Sequence, residues 1–483
     1  MKRRNFLEQS LVATASLALP QPLTFAQKDI LSPETQALSI YMSEAANAKL
    51  PPEAIEHTKY HMIDTFAAII SGSELLPGQA AFNYLKKFGS KGTRTVIASK
   101  FKASPIDAAL ANGVMGHADE TDDSHGRSRS HPGCAVVPAA LACGEEFQIS
   151  GIHLLNSIAL GYDVGTRLLM SMGGPKFSYE SHKSSHSIAG IFGAAAAAAS
   201  TAKLNPQQMR WILDYTSQQS SGIAVWGRDT DHIEKAFVFG GMPARSGVTS
   251  ALLVRAGWTG INDVFTGPSN FFQAYAPDAK RNILIDQLGE KFEIIQTDIK
   301  KWSVGSPIQG PLDALELIRK RSPFSTKDVV KVTVRLEPAV SKVVNNRDMP
   351  DVCLQHMMAI MLIDQTASFK ASHDIQRMND SEVLRQRAKV ELIPDESLSQ
   401  FLPVRVALVE VTLDNGTTLS ERVEAVRGTP RNPMSQSEVL NKARDLIDPV
   451  LGKKQSLQLI NACMSIEKMS TVKTLGALLQ KNT

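Results

Sequence analysis

The residues most able to carry chemistry lie in a run of seventeen between Gly116 and Pro132, which holds three histidines, four carboxylates and two arginines. Two stretches that favour burial, residues 108–115 and 134–142, flank it. Folding is therefore expected to draw these polar groups toward the interior, where an unpaired charge is costly. Sites that hold such groups despite that cost are often catalytic.

The run carries the groups that proton abstraction next to a carboxylate requires. Removing such a proton builds negative charge, so the site needs a base, an acid for a departing hydroxyl, and cations that hold the developing anion. Glu120, Asp122 and His131 can supply acid and base. Crowded carboxylates shift one another's pKa values apart, which would keep one of them protonated near neutral pH. Candidate cations for binding a substrate carboxylate are Arg127, Arg129, Lys235, Arg245 and Lys300.

Composition predicts a globular protein with two domains, or with one large and one small domain. The chain has 483 residues, of which 43% are apolar and 21% charged, with 52 basic against 48 acidic residues. The sequence has neither a basic tail nor a basic strip with interleaved aromatic residues. This distribution of charge argues against nucleic acid as a partner. The four cysteines are widely spaced and indicate neither a disulfide framework nor a zinc module.

The amino terminus is typical of a twin-arginine export signal. Arg3 and Arg4 precede an apolar segment over residues 11–19 that is too short to span a bilayer, and residues 24–26 offer a small-residue cleavage site. We expect the twin-arginine export machinery to recognise residues 1–26 and the mature protein to be periplasmic. The alternative is a cytoplasmic protein with a basic start that arose by chance.

The elements that position the charged run are predicted to be mostly helical as far as about residue 280. Prolines at 51–52 precede apolar residues at three- and four-residue spacing, which predicts a helix start. Ser104 before Pro105 predicts another capped helix. Alanines dominate residues 190–204, and such small side chains let neighbouring backbones approach closely, so this segment is predicted to form a central buried helix.

Beyond that point the pattern predicts a smaller α+β domain. Residues 328–336 and 404–413 alternate β-branched side chains, and Asp414-Asn415-Gly416 predicts a hairpin turn. Helical patterning then returns, and the last helices are expected to dock onto the first domain. The predicted organisation is a helical domain over 33–278, a lid domain over 279–428 and C-terminal helices over 429–475.

The charged run and several later segments resemble the MmgE/PrpD family of 2-methylcitrate dehydratases, cis-aconitate decarboxylases and iminodisuccinate epimerases. The first part of the resemblance comprises Gly116-His-Ala-Asp-Glu-Thr-Asp-Asp-Ser124, His131-Pro132-Gly133 and the apolar residues after them. Four further segments agree in order and spacing, so that the resemblance covers roughly residues 35 to 470: 161–167, 190–199, 217–222 and 247–260.

The resemblance implies a mainly α fold, with a large all-helical domain, a smaller α+β lid domain and an active site in the cleft between them. It implies an enzyme that uses neither a cofactor nor a metal and is commonly a homodimer. Its substrates would be small polycarboxylates, and its chemistry would begin at a carbon next to a carboxylate or imine.

Individual roles also follow from the resemblance. Glu120 stands where many members have a catalytic aspartate, Asp122 belongs to the matching acidic pair, and Ser124 stands for the family's threonine. His131 matches a histidine proposed as proton donor or acceptor.

Two lysines match family residues that bind a substrate carboxylate. These are Lys235 and Lys300, although Lys301 fits the second position equally well.

Two departures from the family pattern leave the substrate open. Where the family often has a histidine six residues before Gly190, this chain has Ser184, with His182 and His186 two residues to either side. We take His186 as the candidate catalytic residue, with His182 as the alternative. Gln309 replaces a second family histidine.

The preferred hypothesis is a lyase that removes water from a polycarboxylate, with loss of carbon dioxide as the less favoured outcome. Epimerisation of a small dicarboxylate is an alternative within the family. A metal-dependent hydrolase would instead use His117, Asp122, His125 and His131 as ligands. A periplasmic binding protein without catalysis is the remaining alternative.

Overall fold

The computed structural model describes residues 31–481, so the predicted export signal lies outside the described residues. α-Helices make up most of the chain before residue 280. They are α1 (Pro33–Glu44), α2 (Pro52–Gly72), α3 (Leu76–Phe88), α4 (Pro105–Gly116), α5 (Gly133–Glu146), α6 (Gly151–Ser171), α7 (Pro175–Ser181), α8 (Ser185–Thr201), α9 (Pro206–Gln219), α10 (Ile233–Ala236), α11 (Met242–Arg255) and α12 (Phe271–Tyr275). A short hairpin of β1 (Arg94–Thr95) and β2 (Lys102–Ala103) separates α3 from α4.

Local sequence signals fix several of these helices. Ser104 caps α4 by accepting a hydrogen bond from the backbone N–H of Asp107, as its position before Pro105 predicts. The alanine-rich helix α8 is buried along its whole length and packs between α6 and α11. A Cβ on Gly161 of α6 would lie 2.8 Å from the carbonyl oxygen of Gly193 in α8, so glycine permits this close crossing. The prediction of a central buried helix is confirmed.

The smaller domain contains a four-stranded sheet in the order β4-β3-β5-β6. β3 runs parallel to β4 and antiparallel to β5, and β5 and β6 form the hairpin predicted around Asn415. This sheet and its helices enclose a second hydrophobic core, separate from that of the helical part. The elements are α13 (Ser306–Arg321), β3 (Val329–Leu336), α14 (Pro338–Val344), α15 (Leu354–Asp364), α16 (Phe369–Ser372), α17 (Ser381–Arg387), β4 (Val390–Pro394), β5 (Ala407–Leu413) and β6 (Thr418–Val423).

The last helices, α18 (Gln436–Leu451), α19 (Lys453–Met464) and α20 (Leu475–Leu479), contribute apolar residues to the core of the helical part. The mainly α fold with a smaller α+β domain is thus confirmed. The exact domain boundaries stay predictions, and residues as far as Ile294 still pack into the helical core. All four cysteines are buried and free.

One continuous helical stretch, residues 233–255, joins α10 to α11 through a π-helical turn at Phe237–Gly241. It is apolar and long enough to cross a membrane by composition alone, but 67% of its most apolar window is buried inside the protein, which is typical of a core helix. π-Helical turns often occur at functional sites. This one presents Phe239 to the cluster described next.

Candidate active site

The charged run forms the connection between α4 and α5 and is held on several sides. The backbone of Ser124 pairs with that of Asp298, in the segment that leads into the smaller domain. The carboxylate of Asp123 accepts hydrogen bonds from the Tyr162 hydroxyl and from the Gly133 N–H, and it lies 2.9 Å from His61 Nδ1. Asp123 is therefore an anchor that fixes the loop to α2, α5 and α6.

The neighbouring carboxylate, Asp122, orients two histidines. Its Oδ1 lies 3.0 Å from His131 Nδ1, and its Oδ2 lies 2.9 Å from His117 Nδ1. A carboxylate accepts hydrogen bonds, so each Nδ1 carries the proton and each Nε2 keeps its lone pair. His131 retains 10% side-chain exposure, whereas His117 is fully buried. His131 Nε2 makes no hydrogen bond to a described residue and is available as a base.

Two lysines converge on Glu120. Lys235 Nζ donates to its carboxylate, and Lys300 Nζ lies 2.8 Å from its carbonyl oxygen and 3.6 Å from its Oε2. Lys300 also lies 3.6 Å from Asp122 Oδ1, which connects this group to the paired histidines. The site thus combines a base, carboxylates and two cations within one buried cluster.

Phe239 packs the histidines into fixed orientations. Its ring stacks on His186 with centroids 3.8 Å apart and on His117 with centroids 4.3 Å apart, and Trp226 meets it edge-on at 4.7 Å. The ring of His232 lies 5.2 Å from that of His117. Rigid stacking of this kind limits rotation of the imidazoles, which keeps the reactive nitrogen atoms in place.

The electrostatics differ from the expectation that one crowded carboxylate would stay protonated. Burial opposes the charged form of Glu120, but Lys235 and Lys300 hold its pKa well below the usual range. The pKa of Asp122 is also held well below its usual range against burial, by His117 and His131 and then by Lys300. Both carboxylates are therefore ionised at neutral pH, because cations and histidines surround them.

His131 and His186 are neutral at the same pH. Burial lowers the pKa of His131, although Asp122 partly offsets it. Burial and the neighbouring His131 lower the pKa of His186 well below its usual value. A neutral His131 with a free Nε2 suits proton abstraction.

Several residues predicted for the site do not join the cluster. Lys301 pairs with Glu316 at 2.7 Å, so the structure selects Lys300 as the lysine that reaches Glu120. Arg127 is 46% exposed and pairs with Glu293. Arg245, on α11, forms no side-chain hydrogen bond or ion pair with the cluster among the described residues.

The remaining predicted residues are His186, its alternative His182, and Ser124. His186 faces Phe239, whereas His182 ends α7 in the left-handed region, so His186 is the histidine in the cluster. Ser124 lies at its edge, with Oγ 3.5 Å from Asp298 Oδ2 and from Ser306 Oγ.

Three further residues at the cluster were not predicted from the sequence. Phe239 lies in the helical stretch 233–255 and His232 directly precedes it. Only their proximity in three dimensions connects them to the loop. His373 Nε2 lies 2.9 Å from Asp119 Oδ2. A helix-spacing pattern would not have indicated any of these contacts.

Among the described residues, two groups of donor atoms lie close enough together to bind a metal ion, and both groups include His117. One adds Asp122 and Cys134, and the other adds Glu120 and His232, with ligand atoms within 4.8 Å of one another. The two lysines on Glu120 oppose a cation there. The predicted set that includes His125 does not converge, because the ring nitrogens of His125 face Ser128 and Glu293.

The Asp119–His373 pair links the loop to the smaller domain and predicts a pH-dependent stability. His373 Nδ1 lies 2.7 Å from the Phe369 carbonyl and Nε2 faces Asp119, so acceptors on both sides favour the imidazolium. Although burial opposes it, this raises the pKa of His373 to about 9.

Because this folded-state pKa exceeds the ordinary value of 6.5, the stabilisation is complete below pH 6.5 and disappears as the pH rises through 9. We expect His373→Gln to lower the free energy of unfolding by about 2 to 3 kcal/mol at pH 6. The deficit should shrink toward zero above pH 9 in urea denaturation. Burial lowers the pKa of His57, a partly exposed residue on α2, so the control His57→Gln should not destabilise the protein more at pH 6 than above pH 9. A deficit for His373→Gln that is the same at both pH values would contradict the assignment.

Comparison with known proteins agrees with this architecture. Residues 36–284 match the MmgE/PrpD N-terminal domain, and residues 302–466 match the MmgE/PrpD C-terminal domain. A cis-aconitate decarboxylase of Aspergillus terreus is 23% identical over 479 residues, covering 92% of this chain and 95% of its own. The Homo sapiens cis-aconitate decarboxylase is 26% identical over 456 residues, covering 89% and 91%. The two matched domains span most of the chain, and the protein belongs to the MmgE/PrpD family.

Proposed function

We propose that the protein is a lyase that acts on a small polycarboxylate through an anion formed next to a carboxylate. The observation that carries this proposal is the hydrogen bond between His131 Nδ1 and Asp122, which leaves Nε2 as a neutral base beside the Lys235–Glu120–Lys300 group. The names of the relatives, cis-aconitate decarboxylases, support a lyase acting on a polycarboxylate.

In the dehydration that we favour, His131 Nε2 takes a proton from the carbon next to a carboxylate. The electron pair left behind delocalises onto that carboxylate, whose second negative charge Lys235 and Lys300 stabilise. The carbon–oxygen bond of a hydroxyl on the adjacent carbon then breaks, and that group leaves as water with the proton from the His131 imidazolium. The net change is a hydroxy acid converted to an unsaturated acid and water.

Decarboxylation is the second candidate, and the relatives' names favour it. In that case a carbon–carbon bond breaks to release carbon dioxide, and the electron pair forms the same kind of anion over the two lysines. A protonated group then delivers a proton to carbon. Lys235 and Lys300 could stabilise the anion in both reactions. A neutral His131, however, suits the removal of a proton better than its delivery.

The experiment is to incubate the purified mature protein with citrate, 2-methylcitrate, cis-aconitate and succinate-type acids in heavy water and to follow product masses. We expect loss of water from a hydroxy acid, with loss of carbon dioxide from cis-aconitate as the second candidate. Deuterium incorporated into a product of unchanged composition would instead indicate epimerisation. Tight binding without any change in the acids would overturn the proposal in favour of a binding protein.

A further inference from the structure

Lys442, on the C-terminal helix α18, is a buried lysine that reaches the charged run. Its side chain is 6% exposed, and its Nζ lies 3.0 Å from the carbonyl oxygen of Thr121 and 2.7 Å from Asp64 Oδ1. Thr121 is fully buried and lies between Glu120 and Asp122. Lys442 therefore contacts the loop backbone between the two carboxylates of the candidate active site.

The backbone around Thr121 has no regular secondary structure that would fix it. Residues 117–123 form neither helix nor strand, so their carbonyl groups need hydrogen-bond donors from other segments. Among residues 31–481, no backbone N–H donates to the Thr121 carbonyl. The preceding carbonyl, that of Glu120, accepts a 2.8 Å hydrogen bond from Lys300 Nζ. Two successive carbonyl groups of the loop are thus held by buried ammonium groups from distant parts of the chain.

Helix α2 fixes the position of Lys442. Asp64, whose side chain is 1% exposed, lies on this helix about one turn after His61. His61 Nδ1 lies 2.9 Å from Asp123 Oδ2, and α18 packs along α2. The same helix therefore holds the loop at two points: directly through His61 at Asp123, and through the Asp64–Lys442 pair at Thr121.

These two points lie on either side of Asp122. Thr121 precedes it and Asp123 follows it, so the backbone of Asp122 is held at both neighbours. Its Oδ1 lies 3.0 Å from His131 Nδ1 and orients that imidazole. A misplacement of about 1 Å, even one caused by a change far from the reacting atoms, can lower a rate by about a hundredfold. A movement of the Thr121 carbonyl would be passed on to the carboxylate that orients His131.

We propose that Lys442 is a positioning residue for the reaction: its hydrogen bond to the Thr121 carbonyl holds Asp122, and through it His131, in the geometry that proton abstraction requires. This inference rests on the proposed function, because the role exists only if His131 is the base. Lys442 acts through other residues, since Thr121 and Asp64 engage its ammonium group. The C-terminal helices thus supply one of the bonds that shape the candidate active site.

The test measures turnover and binding separately on the full mature protein. Turnover is followed on whichever acid of the panel above the unmodified protein converts. Binding is measured by isothermal titration calorimetry with tricarballylate, which has three carboxylates but no hydroxyl group or double bond that would allow reaction. We expect Lys442→Met to lower kcat by about tenfold to a hundredfold, because Asp122 and His131 lose their alignment. The Kd for tricarballylate should stay within about twofold, because Lys235 and Lys300 remain.

A double variant separates positioning from stability. Lys442→Met leaves the buried Asp64 carboxylate without its partner, so the thermal midpoint should fall by several degrees. Adding Asp64→Asn removes that carboxylate and should recover most of the midpoint, but kcat should stay low because the Thr121 carbonyl still lacks its donor. Asp64→Asn alone keeps that donor and should retain most of kcat. Lys454→Met, which removes an exposed lysine on α19, is the control for net charge and should change neither quantity.

Recovery of kcat together with the midpoint in the double variant would show that Lys442 only stabilises the fold. An unchanged kcat in Lys442→Met would show that the loop keeps its geometry without this bond. Either result would overturn the positioning role alone, whereas failure of the unmodified protein to convert any acid of the panel would overturn the proposed function and this inference with it.

Discussion

His131→Ala is expected to lower kcat/KM by about 10²- to 10⁴-fold on any substrate that the protein converts, the range typical of losing a positioned general base. The reason is geometric: Asp122 takes Nδ1, so Nε2 is the nitrogen available to the substrate, and the neighbouring imidazoles are more deeply buried. Steady-state kinetics would show the loss mainly in kcat, because the lysines that bind the carboxylate remain.

His57→Ala provides the matched control, since it removes a partly exposed histidine on α2 and should leave kcat/KM unchanged. Circular dichroism and a thermal melt on both variants would establish that each is folded. Turnover by His131→Ala at the unmodified rate would exclude His131 as the base.

Lys300→Met is expected to reduce both stability and activity. Lys300 has a side chain that is 2% exposed, and its ammonium group lies between Glu120 and Asp122. Although burial opposes its charge, those two carboxylates raise its pKa. Removing one partner from a buried ionic group typically costs about 3 to 5 kcal/mol, because the remaining charges are left uncompensated. Urea denaturation would measure this loss, and turnover should fall below detection.

The adjacent Lys301 supplies a matched control. Its ammonium group pairs with Glu316, and Glu316 is partly exposed, so Lys301→Met should cost about 1 kcal/mol or less and leave kcat within a few-fold. The double variant Lys300→Met with Glu120→Gln should regain part of the lost stability, because it removes a carboxylate that has lost its partner, but it should not regain activity. Equal stability of the two single variants would contradict the role given to Lys300.

Much of the fold is predictable because its signals are local. The Ser104 cap, the alanine-rich helix α8 and the hairpin at Asn415 each depend on residues within a few positions of one another, and each occurs in the structure. The charged run shares this property, since Glu120, Asp122 and His131 are close in sequence.

The parts that could not be predicted depend on contacts between distant segments. Arg127 was a reasonable candidate for substrate binding, yet it pairs with Glu293, which is 166 residues away. The choice between Lys300 and Lys301 required knowing which side chain turns toward the loop. His373 reaches Asp119 from the smaller domain, and such pairing follows from tertiary packing rather than from a pattern along the chain.

The pKa expectation failed for a related physical reason. Crowding alone would have raised the pKa of one carboxylate, but Lys235, Lys300 and two histidines come from separate elements and reverse the effect. Counting acidic residues in the loop therefore pointed to the buried cluster but predicted the wrong charge state for its carboxylates.

A crystal structure of the protein with tricarballylate bound would test most directly whether His131 is the base and the two lysines bind the substrate carboxylate. We expect one carboxylate within hydrogen-bond distance of Lys235 and Lys300, with the adjacent carbon about 3 to 3.5 Å from His131 Nε2, the separation of a reactive complex. An acid bound away from these lysines, or a His131 imidazole that points away from the acid, would contradict the proposed function.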